Sequence, residues 1–214
     1  MRRALMLVAG VAAVIGLTGG EAMGAAGTVA RPGAVAGGVL PKGFLLYEAE
    51  AAGPSKPWET WHVSDRVGQR LDVNPCGDDP APKGRAAARG ITHTVENDYT
   101  TEQVIIYRDR SAARKAMSSL RADLERCATH KGTGHDGYSY KWKKTAIGDD
   151  ALRVGGFFFE SRVRYVVVRK GRALALYSGT GMVTSRLLPS HFRPLVKDAR
   201  TMAGKLCRLR HVCD

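Results

Sequence analysis

The chain has 214 residues, 25% charged and 44% hydrophobic, with 33 Lys and Arg against 20 Asp and Glu and a formal net charge of +13. That length bounds it to about one domain with ample material for a core. The basic excess makes anionic partners the natural ones and argues against attraction to cationic surfaces.

The first 26 residues read as a secretory signal. Arg2 and Arg3 precede an apolar run from Ala4 to Leu17, and small residues follow at Ala22, Gly24 and Ala26. The run is shorter than the ~20 residues that span a bilayer. Junctions after Gly24 and after Ala26 both satisfy the small-x-small pattern, and cleavage is assigned after Ala26. Loss of Arg2, Arg3 and Glu21 lowers the net charge only by one. No cysteine precedes Cys76, so the thiol of a lipoprotein anchor is missing. The mature chain is expected to be secreted, monomeric and without a transmembrane anchor.

Residues 27–42 are Gly, Ala, Val and Pro without periodicity and read as a flexible linker. Residues 43–214 are expected to form one α+β domain, opening with Phe44, Leu45 and Leu46 and with Trp58 and Trp61 beyond a Pro-rich turn. Gly77 to Gly90 reads as a surface loop, rich in Gly, Pro and charge. Ile91 to Val95 and Gln103 to Tyr107 are β-branched runs flanking Glu96-Asn97-Asp98, the signature of an antiparallel pair. Ala113, Met117, Leu120, Leu124 and Cys127 then recur at helical steps, which predicts a helix over 111–128 capped by Asp109 or Ser111.

Tyr138-Ser139-Tyr140-Lys141-Trp142-Lys143 alternates aromatic and polar residues, as a half-buried strand does. Ala151 to Phe159, Val163 to Arg169 and Ala173 to Tyr177 continue the strands, with Lys170-Gly171 as the tight turn. Leu188, Phe192, Leu195, Ala199, Met202 and Leu206 define a closing helix that tolerates Pro194 in its first turn. The order predicts an α+β fold, an antiparallel sheet packed against two main helices.

Four cysteines in a secreted chain imply two disulfides, and three pairings are open. Cys76 with Cys127 and Cys207 with Cys213 is the expected choice, since Cys127 lies on the core stripe of its helix and the last two are neighbours in sequence. Metal ligation is disfavoured by the absence of Cys-x-x-Cys.

No residue cluster forms a recognisable reaction centre, and neither a cofactor nor a metal is expected. His130 and His135 are five apart, a spacing that suits neither a helical face nor a strand. Asp149 and Asp150 are adjacent before a strand, a turn pattern more than an acid/base pair. Ser178-Gly179-Thr180-Gly181 lacks the Gly-Lys-Ser/Thr of a phosphate cradle and reads as a connecting loop. The basic residues are the remaining signal. Strand alternation sends Tyr138, Tyr140 and Trp142 to one face and Lys141 and Lys143 to the other. Lys141, Lys143, Arg162 and Arg164 are therefore the candidate contacts to an anionic extracellular polymer, exposed on one sheet face. The alternative is a mixed aromatic and basic surface for single-stranded nucleic acid.

Several landmarks in order resemble the extracellular sensor domain of PknH-type mycobacterial kinases, also carried by actinobacterial lipoproteins and secreted proteins. They are Leu71-Asp72-Val73-Asn74-Pro75-Cys76, Leu120-Arg121-Ala122-Asp123-Leu124-Glu125-Arg126-Cys127, Gly148-Asp149-Asp150-Ala151 and Leu206-Cys207. The resemblance spans about Val63 to Cys213. It implies a disulfide-bonded α+β domain with a cleft that binds a ligand without transforming it, and it supplies no catalytic residue. This chain departs from the kinases in lacking a kinase domain and membrane helix, and from the lipoproteins in lacking the anchor cysteine. The expected function is a secreted non-catalytic ligand-binding or sensor-like role, for a small ligand or an anionic polymer. The alternatives are a hydrolase acting on wall polymer or nucleic acid, and a structural or inhibitory surface protein.

Overall fold

A computed structural model describes residues 39–76, 83–96, 98–130, 137–158, 161–181 and 188–214. Its strands are β1 (Glu59–Ser64), β2 (Arg85–Val95), β3 (Asp98–Tyr107), β4 (Thr129–His130), β5 (Tyr138–Lys144), β6 (Asp150–Phe158), β7 (Ser161–Lys170) and β8 (Ala173–Thr180). They pair antiparallel in one sheet, in the order β1-β2-β3-β8-β7-β6-β5-β4. The helices are a single turn α1 (Glu48–Ala51), α2 (Arg110–Arg126) and α3 (Arg193–Leu206), the last preceded by a 3-10 turn at Pro189–Phe192. The α+β expectation and both expected disulfides, Cys76–Cys127 and Cys207–Cys213, are observed.

Each main helix forms where its apolar period says it should. Asp109 caps α2 by accepting from the Ala112 amide at 2.7 Å, and Ala113, Met117, Leu120 and Leu124 are buried along one stripe. In α3, Pro194 sits in the first turn, where its missing N–H costs no intrahelical bond. The central strands β3, β7 and β8 are buried on both faces, so their apolar residues divide between two cores. Ile105, Val167, Leu174 and Leu176 pack with α2, whereas Ile106, Val166, Ala175 and Tyr177 pack with Leu195, Ala199 and Met202 of α3. No helix among the described residues is long and apolar enough to cross a membrane.

The terminal disulfide positions the last loop on the β7–β8 turn. Arg172 donates its amide to the Val212 carbonyl at 2.9 Å. At Gly171, φ is +57°, and a Cβ there would lie 1.8 Å from the Val212 oxygen. Only glycine satisfies both the turn and the crossing chain.

Three expectations are corrected, and one strand went unread. Leu40, assigned to the linker, is 1% exposed in the α3-side core, and the neighbouring Pro41 carbonyl accepts from the Arg89 guanidinium. The loop assigned to 77–90 ends earlier, because β2 begins at Arg85; Ala87 and Ala88 are buried without the β-branched signature of a strand. Ser178, Gly179 and Thr180 belong to β8 and not to a loop. Edge strand β1 had no clear alternation to announce it, and its Val63 side chain is 46% exposed.

Candidate functional site

Residues directly opposed across antiparallel strands share a face. Lys141 opposes Gly155, which opposes Arg164. Lys143 opposes Arg153, and Arg162 opposes Phe157. Arg164 and Val166 have the same parity on β7, so all of these residues lie on the α3-side face. The register thus brings the four sequence-predicted cations to one face, and it adds Arg153. Strand β6 was legible in the sequence; the pairing that places Arg153 beside Lys143 was not.

Lys141 and Lys143 are exposed, and Arg162 is partly so. The Arg162 guanidinium lies 5.3 Å from the Phe157 ring centroid, and that of Arg153 lies 5.7 Å from Phe192. Among the described residues, none of these four makes an ion pair, in contrast to Arg89, Arg121 and Arg169. Arg164 departs from the expectation of full exposure. It is half-buried and donates to the His191 carbonyl at 3.1 Å and the Thr180 carbonyl at 2.9 Å. Desolvation lowers its pKa, with Asp98 acting against that. Its guanidinium ties the turn before α3 to the end of β8, a structural role that explains why it reaches less far into solvent than its neighbours.

The α2-side face carries a different chemistry beyond the part that α2 covers. There Tyr165 opposes Ser178, and Tyr140 opposes Gly156. The Tyr138 and Tyr140 rings are 5.5 Å apart, and Tyr140 meets Tyr165 edge-on at 6.4 Å. The Tyr165 hydroxyl is close enough to those of Tyr99 and Tyr140 for the three to perturb one another's titration. Against this floor the 71–76 segment lays Asp72. Its carboxylate accepts from the Ser178 hydroxyl at 2.5 Å, and its amide donates to Gln103 Oε1 at 2.9 Å. Desolvation raises the Asp72 pKa, only partly offset by the Ser178 hydrogen bond. The same burial pushes Tyr140 up to about 12 and raises Tyr99 and Tyr165.

Sequence reasoning missed this cluster because Asp72, Tyr99, Tyr165 and Ser178 are far apart in the chain. The alternation Tyr138-Tyr140-Trp142 was its one local trace. As chemistry, Ser178 donates to the Asp72 carboxylate, and no histidine or lysine is bonded to either group among the described residues. Burial holds Tyr99, Tyr140 and Tyr165 neutral at physiological pH.

The desolvated Asp72 has a consequence for stability. A carboxyl group whose folded pKa exceeds its unfolded value, near 3.9, favours the fold below that value and loses this contribution as pH rises through the folded pKa. Asp72→Asn is therefore expected to match the parent protein at acid pH and to melt at a higher temperature at neutral pH. Thermal denaturation at both pH values measures this, and a lower neutral-pH midpoint for the variant contradicts it.

The other sequence candidates do not converge. Asp149 is taken up by the β7–β8 turn, accepting from the Gly171 amide and pairing with Arg169 and Lys170. Asp150 pairs with Arg121 of α2. His130 lies on β4 beside Tyr138, at 5.6 Å between rings, and His135 falls outside the described residues. A cavity of about 680 Å³ runs between the 70–75 segment and α2, with Leu71, Val73, Ala112, Ala116 and Leu120 among its walls; Asp149, Asp150 and His130 do not line it.

The fold and its two surfaces define an α+β domain in which one antiparallel sheet carries a helix on each face. The chain is similar to the extracellular domain of PknH from Mycobacterium tuberculosis, at 12% identity and a TM-score of 0.44, over 76% of this chain and 90% of that one. At this level the likeness is of outline and transfers no function. No protein-family model and no curated protein matches the chain.

Proposed function

We propose that the protein is a secreted, non-catalytic binding domain that engages an anionic extracellular polymer through the α3-side end of its sheet. One observation carries the reading. Lys141, Lys143, Arg153 and Arg162 fall on one sheet face by strand register, without an ion pair among the described residues, in a chain of net charge +13. Carboxylates are abundant enough elsewhere to pair Arg89, Arg121 and Arg169, so an unpaired group of cations is a local property and not only a compositional one. Two disulfides support an oxidising compartment, in keeping with the signal-like run of the first 26 residues. Arg162 and Arg153 are braced over the Phe157 and Phe192 rings, and a guanidinium suits bidentate contact with phosphate or carboxylate groups.

Four cations neutralised along a flexible polyanion give a log–log salt slope of roughly −2.8, so affinity should fall about 50-fold between about 50 and 200 mM salt. Replacing Lys141, Lys143 and Arg162 together by serine should remove about three quarters of that slope. Arg164 is left in place because of its backbone contacts. Stability should change by less than about 0.5 kcal/mol per site. Retention on purified anionic wall polymer, measured across salt for both proteins, is the test. Retention that ignores salt, or ignores the triple substitution, removes the reading.

A further inference from the structure

We infer that the tyrosine-lined end of the α2-side face is a second, separate binding site, for an organic cation bearing a substituted ammonium group, with Asp72 as its counter-ion. Asp72 is the exception among the inward-facing carboxylates. Glu48 is paired with Arg89 and Asp150 with Arg121. Glu102 is satisfied by the Leu46 and Tyr47 amides and the Tyr177 hydroxyl. Asp72 has the Ser178 hydroxyl and no ion pair among the described residues. In a chain with 33 Lys and Arg, a largely desolvated carboxylate without a cation is a conspicuous cost, and a cationic ligand would offset it.

The surroundings select the kind of cation. One carboxylate is too few for a metal, and no group of three or more His, Cys, Asp or Glu that could hold one occurs among the described residues. Ser178, which holds Asp72, opposes Tyr165 across the sheet; Tyr140 packs edge-on against Tyr165 and Tyr138 on Tyr140, and Tyr99 is close enough to feel the Asp72 charge. Aromatic faces attract a weakly hydrated organic cation, while hydroxyl oxygens accept from any N–H it carries. Asp72, Tyr99, Tyr138 and Tyr140 each keep part of their surface in solvent, so the group is reachable from outside. The Cys76–Cys127 disulfide fixes the segment that presents Asp72 to the end of α2.

Choline and its uncharged isostere 3,3-dimethylbutan-1-ol separate charge from shape. Each is titrated into the full mature protein, with amide chemical shifts of Asp72, Ser178 and Tyr165 as the readout. Choline should bind at roughly millimolar concentration, and the neutral isostere about tenfold more weakly. Asp72→Asn, which keeps an acceptor for Ser178 and stays folded by the same spectra, should lose about tenfold in choline affinity and leave the isostere unchanged. The triple substitution of Lys141, Lys143 and Arg162 should leave choline binding intact, so that this site and the anionic surface stand or fall separately. Equal binding of the two probes, no shift with choline up to about 50 mM, well above the millimolar range expected, or choline binding that ignores Asp72→Asn would overturn the inference.

Discussion

Replacing Cys76 and Cys127 by serine is expected to lower the unfolding free energy by about 4 kcal/mol. The bond joins residues 51 apart. Cutting it returns the entropy of a long closed loop to the unfolded chain, and the stabilisation grows with the logarithm of loop length. The Cys207–Cys213 bond closes a loop of only six and should be worth about 2 kcal/mol by the same relation. The first bond also has a local role, because it ties the end of α2 to the segment that carries Val73 into the α2-side core and Asp72 onto the tyrosine floor. Urea denaturation of the two double-serine variants gives the ordering directly. If the terminal pair proves the more costly to lose, chain entropy is not what these bonds contribute.

Arg89→Met should cost about 3–5 kcal/mol although methionine fits the same space. The Arg89 side chain is 3% exposed on β2. Its guanidinium donates to Glu48 Oε1 at 2.7 Å, Asp65 Oδ1 at 2.6 Å and the Pro41 carbonyl at 3.0 Å. One side chain therefore anchors α1, the stretch after β1 and the start of the described chain to β2, beside the edge of the sheet. Removing it strands Glu48, itself only 15% exposed, without its cation, and breaking a buried pair from one side is far more costly than replacing both partners. Hydrogen exchange should show the loss first at residues 39–51, with α2 and β7 protected until global unfolding. A variant within about 1 kcal/mol of the parent would mean that water reaches Glu48 and compensates it.

The two main helices, both disulfides and most strands were legible in the sequence because each depends on information close in the chain. The steps from Ala113 to Leu124 report one face of a helix, and an even cysteine count leaves no thiol over. Strand alternation likewise separated Tyr138, Tyr140 and Trp142 from Lys141 and Lys143 before any partner strand was known. Where the local signal was weak, the reading failed. Ala87 and Ala88 have little β propensity, β1 lies at an exposed edge, and Leu40 sits in a Gly- and Ala-rich stretch whose burial depends on residues far along the chain.

Both surfaces, by contrast, are products of tertiary pairing. Arg153 joins Lys143 only because β6 is placed between β5 and β7, and Arg164 proves half-buried only once the turn before α3 folds back to meet it. The α2-side cluster depends still more on long-range order, since Asp72 meets Ser178 across 106 residues. Sequence periodicity states which side of a strand a residue occupies. Which residues then become neighbours is decided by register and strand order, and these are set by burying two cores at once on opposite faces of one sheet.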